Sequence, residues 1–303
     1  MAQGGHRTRV SSRALNHPEV PVLREIPVRR VVLVVLDGLR PDAIPRFGLP
    51  HLAALAHHSA YTMLGRTVSP SVTACAMASL LTGAAPERHG LQSDRFHLPK
   101  SRGLLHPLPR VLAEHGLPSS AYLAAMPLLF AGVAKRMAAR LGLGVARFRG
   151  RGCDEILATA RGSLREQENG LVVMHWPDAD RAGHAHGWMS EPYADATWRM
   201  DATMGLLVRD LDLDDPGTLL IALADHGGGG AVATHHNSAH PLDTTIPIFM
   251  AGGAVCRGEM TPGASLLDVP ATVCWALGLP LPESYAGRPL TSAFATRPLV
   301  VAA

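Results

Sequence analysis

The sequence predicts an α/β fold: a central, mostly parallel sheet with helices on both faces. Three observations predict it. Continuous Val and Leu runs recur, beginning with Val31-Val-Leu-Val-Val-Leu36, and such runs fit strands buried on both faces. Helical patterns lie between them, and that alternation builds a sheet covered on both sides. No composition break, repeat or low-complexity tract interrupts residues 30–290, so one domain is the simplest organisation.

The elements follow in order. The first strand is 31–36, and a helical pattern covers 49–60. After Pro70 a run of small, apolar helix formers predicts a helix over 71–81, ending at Gly83. A helix at 107–115 leads to a strand at 120–125, and helical patterns follow at 127–141 and 154–167. The strand 171–176 precedes a helix at 192–211. Strands at 219–224 and 245–250 and a helix at 266–277 complete the reading. Residues 1–30 carry His6, Arg7, Arg9, Arg13, Arg24, Arg29 and Arg30, and read as a flexible N-terminal arm before a catalytic domain spanning 31–303.

Composition narrows the function. The 303 residues are 47% hydrophobic and 17% charged, which supports a sizeable core and excludes a disordered chain. Lys+Arg is 28 against Asp+Glu 25, a net charge of +3, too small an excess to imply nucleic acid. The four cysteines form no CxxC pair, so neither a zinc ribbon nor a disulfide scaffold is indicated. The first residues lack an apolar stretch of the secretory kind, and the longest apolar runs fall far below the roughly 18 residues of a membrane span. The expectation is a soluble cytoplasmic enzyme without a membrane partner. No GxxxxGK[ST] or GxSxG occurs, so the P-loop and α/β-hydrolase readings lack their motifs.

In open α/β sheets functional residues gather at the carboxyl ends of strands. Here the first strand ends in Asp37-Gly38, the strand 171–176 runs into Pro177-Asp-Ala-Asp-Arg-Ala-Gly-His184, and 219–224 ends in Asp225-His226-Gly227. With His236 these loops supply Asp37, Asp180, His184, Asp225, His226 and His236. Mixed carboxylates and imidazoles suit Zn2+ or another first-row divalent ion better than Ca2+. The set is too large for one tetrahedral site and fits two, and two metals about 4 Å apart clamp an in-line displacement at phosphorus. Thr73 falls in the first turn of the helix after Pro70. A hydroxyl there suits a helix N-terminal role, for which Ser69 and Ser71 compete, and equally a nucleophile beside the positive end of the helix dipole.

These motifs resemble the alkaline phosphatase superfamily, and within it the type I phosphodiesterase/nucleotide pyrophosphatase branch. The likeness runs from Val31 to Leu290. It rests on Asp37-Gly-Leu-Arg-Pro-Asp42, and on Thr73 ten residues before Gly83 with Pro86-Glu-Arg-His89-Gly90 after it. It rests further on Asp180-Arg-Ala-Gly-His184, on Asp225-His226-Gly227, and on His236 eleven residues before Pro247. The resemblance implies an alkaline phosphatase-like fold with two divalent ions, Zn2+ or else Mn2+. One ion would be held by Asp180, His184 and His236, the other by Asp37, Asp225, His226 and the Thr73 oxygen. It implies that Thr73 attacks a small phosphoester substrate and that the resulting phosphothreonine is then hydrolysed. The same superfamily resemblance admits a phosphomonoesterase, phosphonate hydrolase, phosphotransferase or sulfatase; Thr73 disfavours a formylglycine-type sulfatase.

Some positions depart from the branch or stay open. Ala74-Cys75-Ala76 stands where the branch carries Phe-Pro-Asn, and Cys75 reads as a small core residue. Asp94 stands twenty-one residues after Thr73, where the branch has an Asn contacting the phosphoryl group. An ionised Asp only accepts hydrogen bonds, so Asp94 is protonated, cation-paired, facing a substrate amine, or turned away. His235 and His240 compete with His236, and Asp178 with Asp180; spacing favours His236 and Asp180. His175 and His186 read as rim or packing residues, and Gly227–Gly230 as a flexible loop. The chain leaves little room for a cap domain, which predicts an open site.

Overall fold

Buried apolar runs dictate where the sheet lies. In the computed structural model, which describes Met1 and residues 28–93, 101–260 and 262–294 (with the side chains of 128–131 left aside), eight strands form one sheet. The elements are β1 (Arg30–Leu36), α1 (Ala43–Phe47), α2 (Pro50–His57), β2 (Ala60–Arg66), α3 (Thr73–Thr82), α4 (Pro86–His89), α5 (Leu108–Glu114) and β3 (Ser119–Leu123). Then come α6 (Leu128–Arg140), β4 (Val145–Phe148), α7 (Cys153–Glu166), β5 (Gly170–Trp176), α8 (Asp178–His186) and α9 (Glu191–Asp210). The chain continues through β6 (Thr218–Leu223), α10 (Pro241–Thr244), β7 (Thr245–Ala251), β8 (Gly258–Glu259) and α11 (Asp268–Ala276).

The strand order is β4-β3-β5-β1-β6-β7-β2-β8. All pairs are parallel except those of β7, which runs antiparallel to both β6 and β2. The expected mostly parallel α/β sheet is therefore the observed one. Val31 to Leu36 are essentially inaccessible, as are Leu219 to Leu223 on β6, the pattern of strands covered on both faces.

The topology brings the motifs together. β1 is flanked by β5 and β6 in register, so their carboxyl ends lie side by side. Because β7 is reversed, its first residues sit at that same end, and so does Arg66, the last residue of β2. Asp37, the start of α8, Asp225 and the segment entering α3 thus converge on one edge.

Three expectations need correction. The helix expected over 49–60 stops at His57, because Ala60–Arg66 forms β2; its alternating Tyr, Thr and Met residues carry no β-branched run. The segment after β5, expected as loop, is the helix α8. Gly227–Gly230 is a close-packing device rather than a flexible loop: a Cβ at Gly228 would fall 2.1 Å from the Trp188 ring and one at Gly227 2.0 Å from the Leu242 carbonyl. The N-terminal arm falls almost wholly outside the described residues, and Asp94 lies outside them. No helix among the described residues is long and apolar enough to cross a membrane.

Candidate metal centre and active site

The nucleophile candidate owes its position to a helix start. Val72 is the extended N-cap residue of α3 and no side chain caps that end, so Thr73 is the first helical residue with its hydroxyl uncommitted to capping. Its Oγ1 lies 3.0 Å from His226 Nε2. Ser71, the competing cap residue, spends its hydroxyl on the carbonyls of His236 and Ser238. Cys75 is buried in the core. Behind α3, the Leu91 N–H donates to His89 Nδ1, so His89 donates from Nε2 to Ser79 Oγ at 3.0 Å and ties α4 to α3. Burial holds the His89 imidazole below its ordinary pKa.

Two clusters of ligand-type atoms form beside Thr73. One comprises Asp180, His184 and His236; the other Asp37, Asp225 and His226, each with its atoms within 4.8 Å of one another. The i, i+4 spacing on α8 places Asp180 and His184 on one face. The imidazoles of His226 and His236, one from each cluster, stack with centroids 3.7 Å apart and planes 8° from parallel. The clusters are therefore immediate neighbours.

The protonation pattern of the histidines follows from their partners. His184 Nδ1 lies 2.8 Å from the Thr234 carbonyl, His226 Nδ1 2.8 Å from the Gly227 carbonyl, and His236 Nδ1 2.6 Å from the Ser71 carbonyl. Carbonyls only accept, so each Nδ1 carries the proton and each Nε2 presents a lone pair to the cluster. Backbone carbonyls that fix ring tautomer in this way are the usual outer support of metal-ligating histidine.

This arrangement tests whether a metal fits. The Nε2 atoms of His184 and His236 are 3.0 Å apart, two lone pairs face to face unless a cation lies between them. Asp180 Oδ1 and Asp225 Oδ2 are buried without a hydrogen-bond partner among the described residues. A tetrahedral ion bound at about 2.0–2.1 Å holds its ligands roughly 3.3 Å apart. In the first cluster Asp180 Oδ1 is 3.4 Å from His184 Nε2 and 3.6 Å from His236 Nε2. In the second, His226 Nε2 is 3.3 Å from Asp37 Oδ1, 3.5 Å from Asp225 Oδ2 and 3.0 Å from Thr73 Oγ1. Both sets of residues fit a first-row divalent ion.

Electrostatics agree with that donor set. Burial alone would raise the Asp225 carboxyl, yet positive charge on the neighbouring His226 and His175 rings, when they carry it, and the Gly38 N–H hold it below the usual carboxylate range, a place that a bound cation would equally fill. Burial, reinforced by His226, depresses His236.

The competing residues fall outside both clusters, although the His235 ring lies edge-on to His184. His240 Nδ1 accepts from the Leu242 N–H and caps α10, while His235 meets the Thr234 hydroxyl at 3.1 Å. Asp178 accepts the Cys153 N–H at 2.9 Å, facing α7, and His186 is exposed. Of the two readings offered for His175, rim and packing, its burial selects packing, with Nε2 3.2 Å from Asp37 Oδ2.

Sequence reasoning missed two more contributors. Gly38, at φ +72°, brings its backbone so close to α8 that a Cβ would lie 2.7 Å from Asp180 Cα; the Asp180 N–H donates to the Asp37 carbonyl at 3.0 Å. Trp188 is buried, donates its indole N–H to the Gly38 carbonyl at 2.9 Å, and sets its ring edge-on to His184 and His236. The Gly38 turn had a visible signal in the glycine after Asp37. Trp188 had none.

Similarity to known proteins matches this geometry. The family described as type I phosphodiesterase / nucleotide pyrophosphatase matches residues 31–106 and 133–260. Human ectonucleotide pyrophosphatase/phosphodiesterase family member 1 is 27% identical over 243 residues, which is 71% of this chain and 25% of the relative. A 2,3-bisphosphoglycerate-independent phosphoglycerate mutase from Synechococcus is 29% identical over 145 residues, 45% of this chain and 27% of that protein. The chain thus spans about a quarter of the length of these curated relatives. Among solved structures, murine ectonucleotide pyrophosphatase/phosphodiesterase 5, an inactive variant in complex with AMP, superposes with a TM-score of 0.66 at 15% identity, covering 88% of this chain and 100% of that one. Since the family match takes in β1, the segment entering α3, α8 and the Asp225–His236 loop, this chain belongs to the type I phosphodiesterase/nucleotide pyrophosphatase family of the alkaline phosphatase superfamily.

Proposed function

We propose that this chain is a two-metal phosphoric ester hydrolase that cleaves a small phosphodiester through a phosphothreonine at Thr73. The observation that carries the reading is Thr73 Oγ1 at the start of α3, 3.0 Å from His226 Nε2 and beside two donor clusters of tetrahedral size. Asp180, His184 and His236 would hold one ion; Asp37, Asp225, His226 and Thr73 the other. Zn2+ suits these donors, and Mn2+ is the second choice. When bound, such ions neutralise charge on the phosphoryl oxygens and lower the pKa of a coordinated hydroxyl.

The chain's own residues do the rest. Thr73 Oγ1 gives up its proton to solvent and bonds to phosphorus, while the bond from phosphorus to the leaving oxygen breaks in line and that oxygen takes up a proton from solvent. The dipole of α3 favours the anion at that point. Water then attacks the phosphothreonine and frees Thr73. His226 and His236, held by backbone carbonyls, need no reorientation between the steps. Asp94 is proposed as a substrate-binding residue, whose acceptor-only carboxylate would favour a substrate that carries a hydrogen-bond donor.

The test uses the full chain with its metal content quantified. Bis-p-nitrophenyl phosphate is assayed beside p-nitrophenyl phosphate. About two zinc ions, faster diester cleavage, and a loss of about 10^4-fold or more in Thr73→Ala are expected. Metal binding without any ester hydrolysis overturns the reading. The mutase likeness supports a second reading, phosphomonoester chemistry or phosphotransfer, which faster monoester cleavage would select.

A further inference from the structure

We infer that His175 is a positioning residue for Asp37, an assignment that rests on the two-metal reading above. His175 is the penultimate residue of β5, paired in register with Val35 of β1. That register turns its ring beneath the carboxyl end of β1, where Asp37 begins the loop. Its side chain is only 12% exposed, and its Nε2 lies 3.2 Å from Asp37 Oδ2. This nitrogen is buried and makes no hydrogen bond among the described residues, so Asp37 Oδ2 is the acceptor within its reach.

The two oxygens of Asp37 thus face different ways. Oδ1 lies 3.3 Å from His226 Nε2, within the ligand cluster; Oδ2 lies against His175. A carboxylate without a second contact can swing about its Cβ–Cγ bond and offer either oxygen, or both. An imidazole fixed by a central strand 3.2 Å from Oδ2, with its proton on Nε2, would favour one orientation and leave Oδ1 for the metal. Outer-shell partners of this kind typically change metal affinity 10–100-fold when removed. His175 touches Asp37 and not the reacting atoms, so it acts through the ligand.

The test titrates Zn2+ against a competing chelator in the wild-type chain, His175→Leu and His175→Gln, with thermal melts to confirm folding. His175→Leu is expected to weaken one of the two zinc sites by about 10–100-fold while leaving the other unchanged. His175→Gln, which retains a donor, is expected to recover most of the loss. Co2+ loaded in place of Zn2+ is expected to show altered visible bands in His175→Leu only. Should His175→Leu misfold, His175→Gln and His175→Asn carry the comparison: the shorter amide is expected to bind zinc more weakly than the longer. Two unweakened zinc sites in a folded His175→Leu, or equal affinities in the two amide variants, overturn the assignment while the two-metal reading stands. A wild-type chain that binds no zinc overturns both.

Discussion

Removing metal is expected to cost this protein a large part of its stability. In the structure two imidazole nitrogens face each other at 3.0 Å, and the Asp180 and Asp225 carboxylates each bury an oxygen that has no hydrogen-bond partner among the described residues. A bound cation relieves these contacts while the fold stays intact. An ion that binds the native state alone stabilises it by RT ln(1 + [L]/Kd), about 2.7 kcal/mol at a concentration 100 times Kd. Two such sites give about 5 kcal/mol. For a chain of this size 1 kcal/mol moves Tm by roughly 2 °C, so zinc reloading of stripped protein is expected to raise Tm by roughly 10 °C. Differential scanning calorimetry of EDTA-treated and zinc-reloaded protein measures this directly. Asp180→Asn, which weakens one cluster, is expected to lose about half the shift, and His186→Ala, on the exposed face of α8, none of it. Superimposable curves with and without zinc would refute the reasoning, as would a full shift in Asp180→Asn.

Three further outcomes follow from the packing. Gly38→Ala combines a left-handed φ, costing about 1–2 kcal/mol, with a Cβ 2.7 Å from Asp180 Cα, so both Tm and zinc affinity should fall. Trp188→Ala empties a buried site against Gly183 and Gly228 and is expected to cost about 3–5 kcal/mol in urea unfolding, with weaker zinc binding because His184 and His236 lose their neighbour. His89 is held neutral by burial, so its folded pKa lies below that of the unfolded chain. As pH falls below about 6.5 the unfolded chain takes up a proton that the folded ring refuses, and stability drops by at most about 1.4 kcal/mol per pH unit. Above that range His89 contributes no slope. Thermal melts of metal-free protein between pH 5 and 8 should therefore show a shallower acid limb in His89→Gln.

The fold was legible where burial is two-sided. The runs at 31–36 and 219–224 read as covered strands, and the structure buries both. β2 was not legible, because its half-buried Ala-Tyr-Thr-Met pattern is set by pairing with the reversed β7, which no local signal announces. α8 was missed for a related reason. Its Asp-rich start and central Gly183 read as loop, yet Gly183 is required by the Trp188 ring, against which a Cβ would lie 2.6 Å away. Tertiary contact overrode propensity in both cases.

The candidate site divides along the same line. The Asp and His ligand types stand at strand ends, where residue identity and spacing are visible in one dimension. What prepares those side chains is largely backbone: the carbonyls of Ser71, Gly227 and Thr234 set three imidazole tautomers, and the Gly38 carbonyl anchors both Trp188 and Tyr193. A carbonyl belongs to every residue, so its use leaves no compositional trace. His175 is the intermediate case. Its residue type suggests chemistry, but only the β1–β5 register shows that it meets the second oxygen of Asp37. The supporting shell is therefore specified by pairing register and glycine-permitted approach, and substitutions at Gly38, Gly183 and Gly228 should disturb metal binding although none of them bears a ligand atom.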